Sequence, residues 1–319
     1  MRNNSGMHRA QNNEKDEFYT KLCTIEKEIV HYKEFLKGRH IYCNCDNPAK
    51  SNFWRFFKEH FFEYGLMSLT STFYGNGAAK TTLTVKDGMI VEETVPLRGD
   101  GDYNSEECRE ILKDADIVIT NPPFSKTREF ISVMYEFKKD FIILGNQNVL
   151  TYKNVYPHVL DNTLRYGISI RSGDTEFEIP SSYGLEGNSV SREGRKFARV
   201  TAVRWLTNLN HGFLPQKLKL HDTRWNLENN RPLIKRLNAK YGNTEYPVYD
   251  NYPAREIPFT SAIPSDCEGI MGVPISFFDK YNPSQFTIVG CRKGLDGKDL
   301  RINGKPEYFR FLIRKKESA

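Results

Sequence analysis

The sequence lacks any apolar run long enough to cross a membrane, and residues 1–13 are polar, without the apolar core of a secretion signal. Both absences point away from integral-membrane and secreted proteins. With 39% hydrophobic and 27% charged residues over 319 positions, the composition is that of a soluble globular chain with a substantial core. We therefore expect a cytoplasmic protein with no membrane partner and with a flexible tail at residues 1–13.

Cysteine and histidine are sparse and scattered. The six cysteines form no paired framework, and none of the seven histidines clusters with another. Cys43 and Cys45 would lie on one face of a strand, but no second Cys/His pair follows at zinc-finger spacing. We expect free thiols, as in a reducing compartment, and no metal site.

Positive charge is modest in amount but concentrated in one region. The formal net charge is +6, yet residues Leu185 to Lys240 contain twelve Lys/Arg and four Asp/Glu. The excess in that region is larger than the net charge of the whole chain. This asymmetry indicates a polyanionic partner for one region and a different task for the rest.

The most informative stretch that is present runs from Asp116 to Phe124. Four apolar or β-branched residues, Ile117 to Thr120, lead directly into Asn121-Pro122-Pro123-Phe124. The pattern predicts a buried parallel strand that ends in a rigid loop, because two prolines fix φ and carry no N–H. Such a corner offers a carboxamide, bare carbonyls and an aromatic ring, which suit a planar base with an exocyclic amine. An ordinary strand followed by a proline turn is the alternative.

Elsewhere, periodicity and turn residues predict helices alternating with strands. The predicted helices span 14–37, 52–64, 105–113 and 127–137, and the predicted strands span 40–45, 66–73, 117–120, 141–145, 164–171 and 199–209. Asp87-Gly88 predicts a hairpin over residues 80–95, inserted at the edge of the sheet. The alternation predicts a mostly parallel sheet of the doubly wound α/β class.

Asn-Pro-Pro-aromatic directly after a buried strand resembles the catalytic motif of amino-methyltransferases that use S-adenosylmethionine (SAM). Four more segments resemble the EcoRI-type adenine DNA methyltransferases: Asp16-Glu17-Phe18-Tyr19-Thr20, Tyr42-Cys43-Asn44-Cys45-Asp46, Gly99-Asp100-Gly101-Asp102 and Trp205-Leu206-Thr207-Asn208-Leu209. The resemblance covers about Asp16 to about Leu312. It implies a Rossmann-like SAM-binding catalytic domain at 14–180, a basic DNA target-recognition region at 181–262, and C-terminal strands with a hairpin at 263–319.

The resemblance also implies candidate contacts to the methionine half of the cofactor. Tyr19 and Thr20 lie in the segment that packs there in these enzymes, although an Asp-capped helix start explains the segment as well. Asn44 and Asp46 follow the first strand, where doubly wound folds bind cofactors. The Asp46 carboxylate suits the methionine ammonium, and helix capping is its alternative role.

Contacts to the adenine half are predicted in Gly99-Asp100-Gly101-Asp102. Glycines allow close backbone approach, and an aspartate accepts from an amino group, so Asp102 is the first candidate, with Tyr103 beside it and Asp100 in reserve. A solvent-exposed acidic turn is the alternative. The corner after the first strand lacks a glycine-rich fingerprint, and residues 71–74 lack the ribose-binding carboxylate of many SAM enzymes, so the ribose contact stays unassigned.

Candidate substrate contacts follow the catalytic motif. In related enzymes an aromatic residue at the place of Phe177 sandwiches the target base, although a core role explains Phe177 equally well. The basic residues are candidate DNA contacts, and a solvated charged surface is the alternative for any one of them: Arg192, Arg195, Lys196, Arg199, Lys217, Lys219 and Arg224.

These features predict methyl transfer from SAM to N6 of a flipped-out adenine in double-stranded DNA, in a restriction-modification system or by an orphan or phage methylase. Asn121 Oδ1 and the Pro122 carbonyl would accept from N6, Pro123 would lock the corner, and Phe124 would clamp the base. Two alternatives stay open: an amino methyltransferase acting on RNA or on a protein glutamine, and a catalytically inactive DNA-binding relative. We expect a monomer with no obligate protein partner.

Overall fold

The computed structural model describes residues 18–171, 174–184, 189–292 and 299–316. The predicted tail at 1–13 and the predicted helix start at 14–17 lie outside these residues. The chain divides into two compact units, Met1–Val155 with Asn162–His211, and Tyr156–Asp161 with Gly212–Ala319. Within the described residues no helix is both long and apolar enough to cross a membrane.

The first unit contains two sheets. Its strands are β1 (His40–Cys43), β2 (Ser68–Ser71), β3 (Ala79–Lys86), β4 (Met89–Pro96), β5 (Ile117–Thr120), β6 (Asp140–Asn146), β7 (Arg165–Tyr166), β8 (Asp174–Ile179), β9 (Ser189–Arg192), β10 (Arg195–Thr201) and β11 (Val203–Thr207). The main sheet has the order β4-β3-β2-β1-β5-β6-β11-β7, and the small sheet has the order β8-β10-β9. Strands β2, β1, β5 and β6 are parallel, and antiparallel strands flank them. This arrangement confirms the predicted mostly parallel core and the hairpin at the sheet edge.

Helices cover the parallel strands. They are α1 (Leu22–Ile29), α2 (Lys33–Leu36), α3 (Asn52–Glu59), α4 (Glu106–Asp114) and α5 (Thr127–Glu136), with 3-10 turns at Val30–Tyr32, Phe124–Lys126 and Gln147–Thr151. Ile41, Ile117 and Ile142 belong to one core cluster with Ile25 of α1 and Phe57 of α3. All four residues of β5 are buried, as expected for a strand that is covered on both faces.

Three sequence predictions differ from the structure. The first helix begins at Leu22 rather than near residue 14: Lys21 is extended, and Tyr19 makes an antiparallel bridge with Glu178 of β8. The strand predicted at 164–171 is reduced to β7. The strand predicted at 199–209 is two strands, since Ala202 has φ +60° and separates β10 from β11.

The second unit has its own five-stranded sheet. The strands of this unit are β12 (Val248–Tyr249), β13 (Tyr252–Glu256), β14 (Ile270–Pro274), β15 (Phe286–Arg292), β16 (Arg301–Ile302), β17 (Lys305–Pro306) and β18 (Arg310–Lys315). The sheet has the order β12-β13-β14-β18-β15, and β16 and β17 form a separate hairpin. The helices are α6 (Tyr156–Leu160), α7 (Thr223–Asn229) and α8 (Arg231–Arg236), with a π-helical turn at Leu237–Tyr241 and 3-10 turns at Thr260–Ala262 and Ile275–Lys280. Inside this unit the buried Arg310 guanidinium donates to both oxygens of Glu256.

The basic region expected at 181–262 is divided between the two units. Residues up to His211 belong to the first unit, because β11 returns to the main sheet beside β6. Residues from Gly212 onward belong to the second unit together with the C-terminal strands that were expected to be separate from them. The boundary near residue 180 therefore corresponds to no division between compact units.

Candidate active site

The Asn-Pro-Pro-Phe corner lies at the carboxyl end of β5. Strands β1 and β5 are neighbours, while the chain leaves β1 toward β2 on its other side, so a topological switch point lies between β1 and β5. In open α/β sheets such a point is where ligands bind. Asp46 follows β1 and Asn121 follows β5, so both candidate residues flank it.

The Asn121 carboxamide is held by one hydrogen bond. Its Nδ2 donates to the main-chain carbonyl of Phe18 at 2.6 Å. Its Oδ1 is buried and has no hydrogen-bond partner among the described residues. A buried acceptor without a partner costs about 1–3 kcal/mol, so this oxygen is available to a ligand that can donate.

Three phenylalanines pack together beside this amide. The ring centroid of Phe18 lies 5.4 Å from that of Phe124 and 5.8 Å from that of Phe177, and Phe124 lies 5.7 Å from Phe177. Phe177 is fully buried, and its ring meets Phe124 edge-on at 78°. A planar base that stacks on Phe124 therefore requires a neighbouring ring to turn aside.

Asp46 connects the end of β1 to the catalytic corner. The Ser51 hydroxyl donates to its Oδ1 and the Thr120 hydroxyl donates to its Oδ2, both at 2.6 Å. Burial raises the pKa of this carboxyl to about 6, and the two hydroxyls counteract part of that rise. Each carboxylate oxygen can accept more than one hydrogen bond, so Asp46 retains acceptor capacity for a cation. The helix cap itself is Ser51, which accepts from Phe53 N and Trp54 N.

Two more candidate cofactor residues carry buried polar atoms without partners in the described part of the chain, Thr20 Oγ1 and Asn44 Nδ2. Asn44 lies two residues before Asp46, and a hydrogen bond ties Thr20 to the start of α3. Asn52, next to Ser51 at the start of α3, donates from Nδ2 to the Thr20 carbonyl at 2.8 Å. Hydrogen bonds thus connect the segments around the switch point in a ring. They join Asn121 to Phe18, Thr20 to Asn52, Ser51 to Asp46, and Asp46 to Thr120. Tyr19 pairs through its main chain with Glu178 of β8.

The predicted adenine-binding loop is joined to the catalytic loop by an ion pair. Asp102 accepts from Lys126 Nζ at 2.7 Å and from Asn104 N at 2.9 Å. Although partial burial opposes it, these contacts lower the pKa of Asp102. Tyr103 is buried and packs on Phe130, with ring centroids 5.0 Å apart. Asp100 is exposed, and its Oδ1 accepts from Asp102 N.

In this loop the backbone of Gly101 lies close to the main-chain carbonyl of Phe73. Its φ is +76°, and a Cβ there would lie 2.0 Å from the Phe73 carbonyl oxygen. Gly77 has φ +75° and open space around it, which makes it a matched control. We expect G101A to be less stable than G77A by about 1–3 kcal/mol or more, and to bind the cofactor more weakly than G77A. Both variants strain the backbone, but only G101A adds a clash. Thermal melting and calorimetry measure both; equal behaviour of the two variants would contradict the packing argument.

Four of the predicted DNA contacts lie on the small sheet of the first unit. Arg192 and Arg199 approach the Glu176 carboxylate at 3.4 and 3.6 Å, and Lys21 also pairs with it. The pairing with Lys21, with smaller contributions from the two arginines, lowers the pKa of Glu176. Arg195 lies 3.5 Å from Glu178, and Lys196 donates to the carbonyls of residues 181 and 183.

The other three predicted contacts belong to the second unit. Lys217 and Lys219 are exposed and have no ion-pair partner within the residues that the structure describes. Arg224 is on α7 and pairs with Glu228 at 2.9 Å, with 87% of its side chain exposed.

Sequence reasoning missed several residues at this site. Phe18 and Lys21 flank the pair Tyr19-Thr20, and Asn52 and Lys126 hold neighbouring loops in place. An asparagine at the first turn of a helix and a lysine just after the corner are common residues with no distinctive spacing. Only Phe18 had a usable signal, because it lies inside the segment Asp16-Glu17-Phe18-Tyr19-Thr20 that carries the resemblance.

The chain resembles known proteins over nearly its full length. A family model described as adenine-specific methyltransferase EcoRI matches residues 6–316. The type II methyltransferase M.EcoRI of Escherichia coli is 36% identical, with 98% of this chain and 97% of that protein covered. M.MgeORF184P of Mycoplasma genitalium is 31% identical (97% and 98% covered), and M.MpnI of Mycoplasma pneumoniae is 30% identical (98% and 98%), both also named type II methyltransferases.

No solved structure matches the chain. The family assignment therefore rests on the match of the family model and the three relatives, and it agrees with an Asn-Pro-Pro-Phe corner at the switch point of a mostly parallel sheet. The chain belongs to the EcoRI family of adenine-specific methyltransferases.

Proposed function

We propose that this enzyme transfers the methyl group of SAM to N6 of an adenine that is flipped out of duplex DNA, as a type II modification enzyme. The observation that carries the proposal is the buried Asn121 Oδ1, an acceptor without a partner among the described residues. Phe18, whose carbonyl holds the same amide, packs on the Phe124 ring. An exocyclic amine on a flat base supplies the missing donor and a face for the ring.

The atoms without partners fit the amino-acid end of SAM. Asn44 Nδ2 and Thr20 Oγ1 are donors for a carboxylate, and Asp46 is an acceptor for an ammonium group. These residues would hold the methionine half of SAM. The Asp102 loop would hold the adenine half, and its ion pair with Lys126 couples that loop to the catalytic corner. When bound, SAM supplies an electrophilic methyl group on a sulfonium sulfur.

Asn121 and Pro122 would make the target nitrogen more reactive. The amine lone pair of adenine is delocalised into the ring, which makes N6 a poor nucleophile. Asn121 Oδ1 and the Pro122 carbonyl would accept the two N6 hydrogens and favour a pyramidal nitrogen. Their attraction grows as N6 becomes positive, so they stabilise the transition state more than the ground state. The rigid Pro122-Pro123 backbone keeps the Pro122 carbonyl oriented before the base arrives.

Phe124 would stack on the flipped base. Removing a base from the duplex costs roughly a few kcal/mol, which stacking and the N6 hydrogen bonds offset. In the structure Phe18 covers part of the Phe124 ring, and rotation about its side-chain bonds would uncover that face while its carbonyl keeps its place. Phe177 would face the base as well if its ring turned from the edge-on contact.

The test of the activity is incubation with tritiated SAM and three competing acceptors: duplex DNA, single-stranded RNA and a glutamine-containing peptide. We expect label in duplex DNA, recovered as N6-methyladenine after digestion to nucleosides. Label in RNA or in the peptide would replace the proposal by one of the other amino-methyltransferase activities. Absence of label together with tight DNA binding would indicate an inactive relative.

We propose that the small sheet binds DNA phosphates near the target. Three cations share the Glu176 carboxylate, so the ion pairs leave positive charge uncompensated on that face. Exposed pairs of this kind contribute only about 0–1 kcal/mol, so phosphates can displace them. Lys217, Lys219 and Arg224 of the second unit would supply further contacts.

If this surface binds DNA, R199Q and E176Q should have opposite effects on the affinity for DNA. R199Q should weaken DNA binding and reduce the slope of log K against log salt by about 0.9, the value for one lost phosphate contact. E176Q should strengthen DNA binding, because it frees Lys21, Arg192 and Arg199 from their carboxylate. R55Q, which removes an exposed arginine paired with Glu59 on α3, is the control. Fluorescence anisotropy at several salt concentrations measures the slopes, and equal slopes for R199Q and R55Q would remove Arg199 from the interface.

A further inference from the structure

We infer that the main-chain carbonyl of Phe18 fixes which way the catalytic amide faces, and that it does so because position 121 is asparagine rather than aspartate. The inference rests on the proposed function and adds a positioning group to it. A carbonyl oxygen can only accept a hydrogen bond, so the atom of residue 121 that lies 2.6 Å from it must be a donor. Asn121 must therefore turn Nδ2 toward Phe18 and Oδ1 toward the substrate.

The Phe18 carbonyl is itself held in place by several contacts. We call residues 18–21 the N-terminal strap. The Tyr19 main chain exchanges two hydrogen bonds with Glu178, of 2.8 and 3.0 Å. The Thr20 carbonyl accepts from Asn52, and Lys21 pairs with Glu176. The Phe18 ring also packs on Phe124 and Phe177, and when that ring turns aside the contacts of residues 19–21 still hold the strap.

The arrangement explains how a buried acceptor can be kept without a partner. If the carboxamide were free to rotate by half a turn, Nδ2 would face the substrate and could not accept from an amine. The Phe18 carbonyl opposes that rotation, because two acceptor oxygens would then face each other in a buried site. The amide is thus oriented before the base arrives, which is the condition for effective stabilisation by a fixed dipole.

A carboxylate at position 121 would behave differently from the amide. The N121D variant would place an ionised oxygen against the Phe18 carbonyl, and the side chain would have to turn away or bind a proton. Once protonated, the carboxyl group can donate to Phe18 and offer its other oxygen to N6, as Asn121 does. The activity of N121D relative to the wild type should therefore rise as pH falls, by up to tenfold per pH unit between pH 8 and pH 6.

Other titratable groups surround the corner. Tyr19 and Lys21 lie on the strap, Asp46 bonds to Thr120, Lys126 follows the loop, and Glu178 lies on β8. All of them are present in the wild type and in N121D alike. The ratio of the two rates at saturating SAM and DNA therefore isolates the group at position 121.

The experiment measures kcat from pH 6 to pH 8.5 for the wild type, N121D and N121A. We expect a rising N121D to wild-type ratio at low pH and a flat N121A to wild-type ratio. A flat N121D ratio, whether the variant is active or inactive throughout, would overturn the inference. The wild-type enzyme is measured in the same assay, so failure of the wild type to methylate DNA would be failure of the proposed function instead.

A second set of variants tests the strap without touching Asn121. F18G removes the ring and loosens residue 18, so kcat should fall about tenfold with little change in the affinity for SAM. F18L keeps apolar bulk and should restore kcat to within about threefold of the wild type. Wild-type kcat in F18G would overturn the inference, and so would a loss in F18G that comes only from weaker SAM binding.

Discussion

Replacement of Asn121 by alanine should lower kcat by about 10²–10³-fold while leaving SAM affinity within about threefold of the wild type. The variant removes the acceptor proposed to gain strength as charge develops on N6, and one such fixed dipole is worth about 3–4 kcal/mol in the transition state. Single-turnover rates of methyl transfer and calorimetric titration with SAM separate the two quantities. Thermal stability should change little, since the substitution also removes the buried Oδ1 that has no partner among the described residues.

N238A is the control for loss of a carboxamide. Asn238 is exposed in the π-helical turn of the second unit, and its replacement should leave kcat unchanged. A rate for N121A close to that of N238A would remove Asn121 from the chemistry. An equal loss of kcat and of SAM affinity in N121A would indicate that the residue supports the cofactor site instead.

Replacement of Asp46 by asparagine should weaken SAM binding by about 10- to 100-fold, because a charge-assisted hydrogen bond to the methionine ammonium is lost. The substitution preserves shape, and an amide can still bond to the hydroxyls of Ser51 and Thr120. N47A removes a side chain from the same loop whose described contact is only to Ala49 N, and it serves as the control. Calorimetry with SAM distinguishes the two variants, and equal affinities would exclude an ionic role for Asp46.

The raised pKa of Asp46 adds a pH dependence to SAM binding. Burial favours the neutral carboxyl, so the free enzyme binds a proton as pH falls through about 6. Because the ammonium group needs the ionised form, the dissociation constant of SAM should rise up to tenfold per pH unit below 6 in the wild type. In D46N it should stay constant over that range. A pH-independent wild-type affinity would contradict the assignment.

The ionised form of Asp46, which favours SAM binding, should lower the stability of the enzyme without SAM. A carboxyl whose pKa is raised from 3.8 to about 6 on folding carries a cost in its ionised form, which is fully present above pH 6 and absent below pH 3.8. The cost at neutral pH is about 3 kcal/mol. D46N should therefore melt at a higher temperature than the wild type at pH 8, and the difference should shrink as pH falls to 4. Such a result would mean that the folded protein gives up stability to keep a charge at the proposed contact to the methionine ammonium.

The strand β5 and the Asn-Pro-Pro-Phe corner after it were predictable because their signal is local. Paired prolines after four β-prone residues restrict the backbone whatever the surroundings are, so strand, loop and the position of Asn121 all follow from nine residues. The hairpin at Asp87-Gly88 was predictable for the same reason, since positive φ at both residues, +50° and +76°, suits this pair.

The partners of the corner were not predictable from the sequence. A main-chain carbonyl such as that of Phe18 has no residue-specific signature, and Phe18 lies 103 positions from Asn121. The strap was predicted as helix because its side chains carry no strand pattern, whereas its extended form depends on pairing with β8, which is distant in sequence. The basic region was predicted as one domain because charge patterns report composition, while the return of β11 to the main sheet divides it.

We propose that a carboxamide at position 121 serves an adenine amine in DNA. Nucleoside mass spectrometry of genomic DNA from methylation-deficient cells that express the wild-type protein or N121A at equal levels tests it most directly. We expect N6-methyladenine only in cells with the wild-type protein, and long-read sequencing should place it in a single sequence context. Equal N6-methyladenine in both cell lines, or none with a folded wild-type protein, would contradict it.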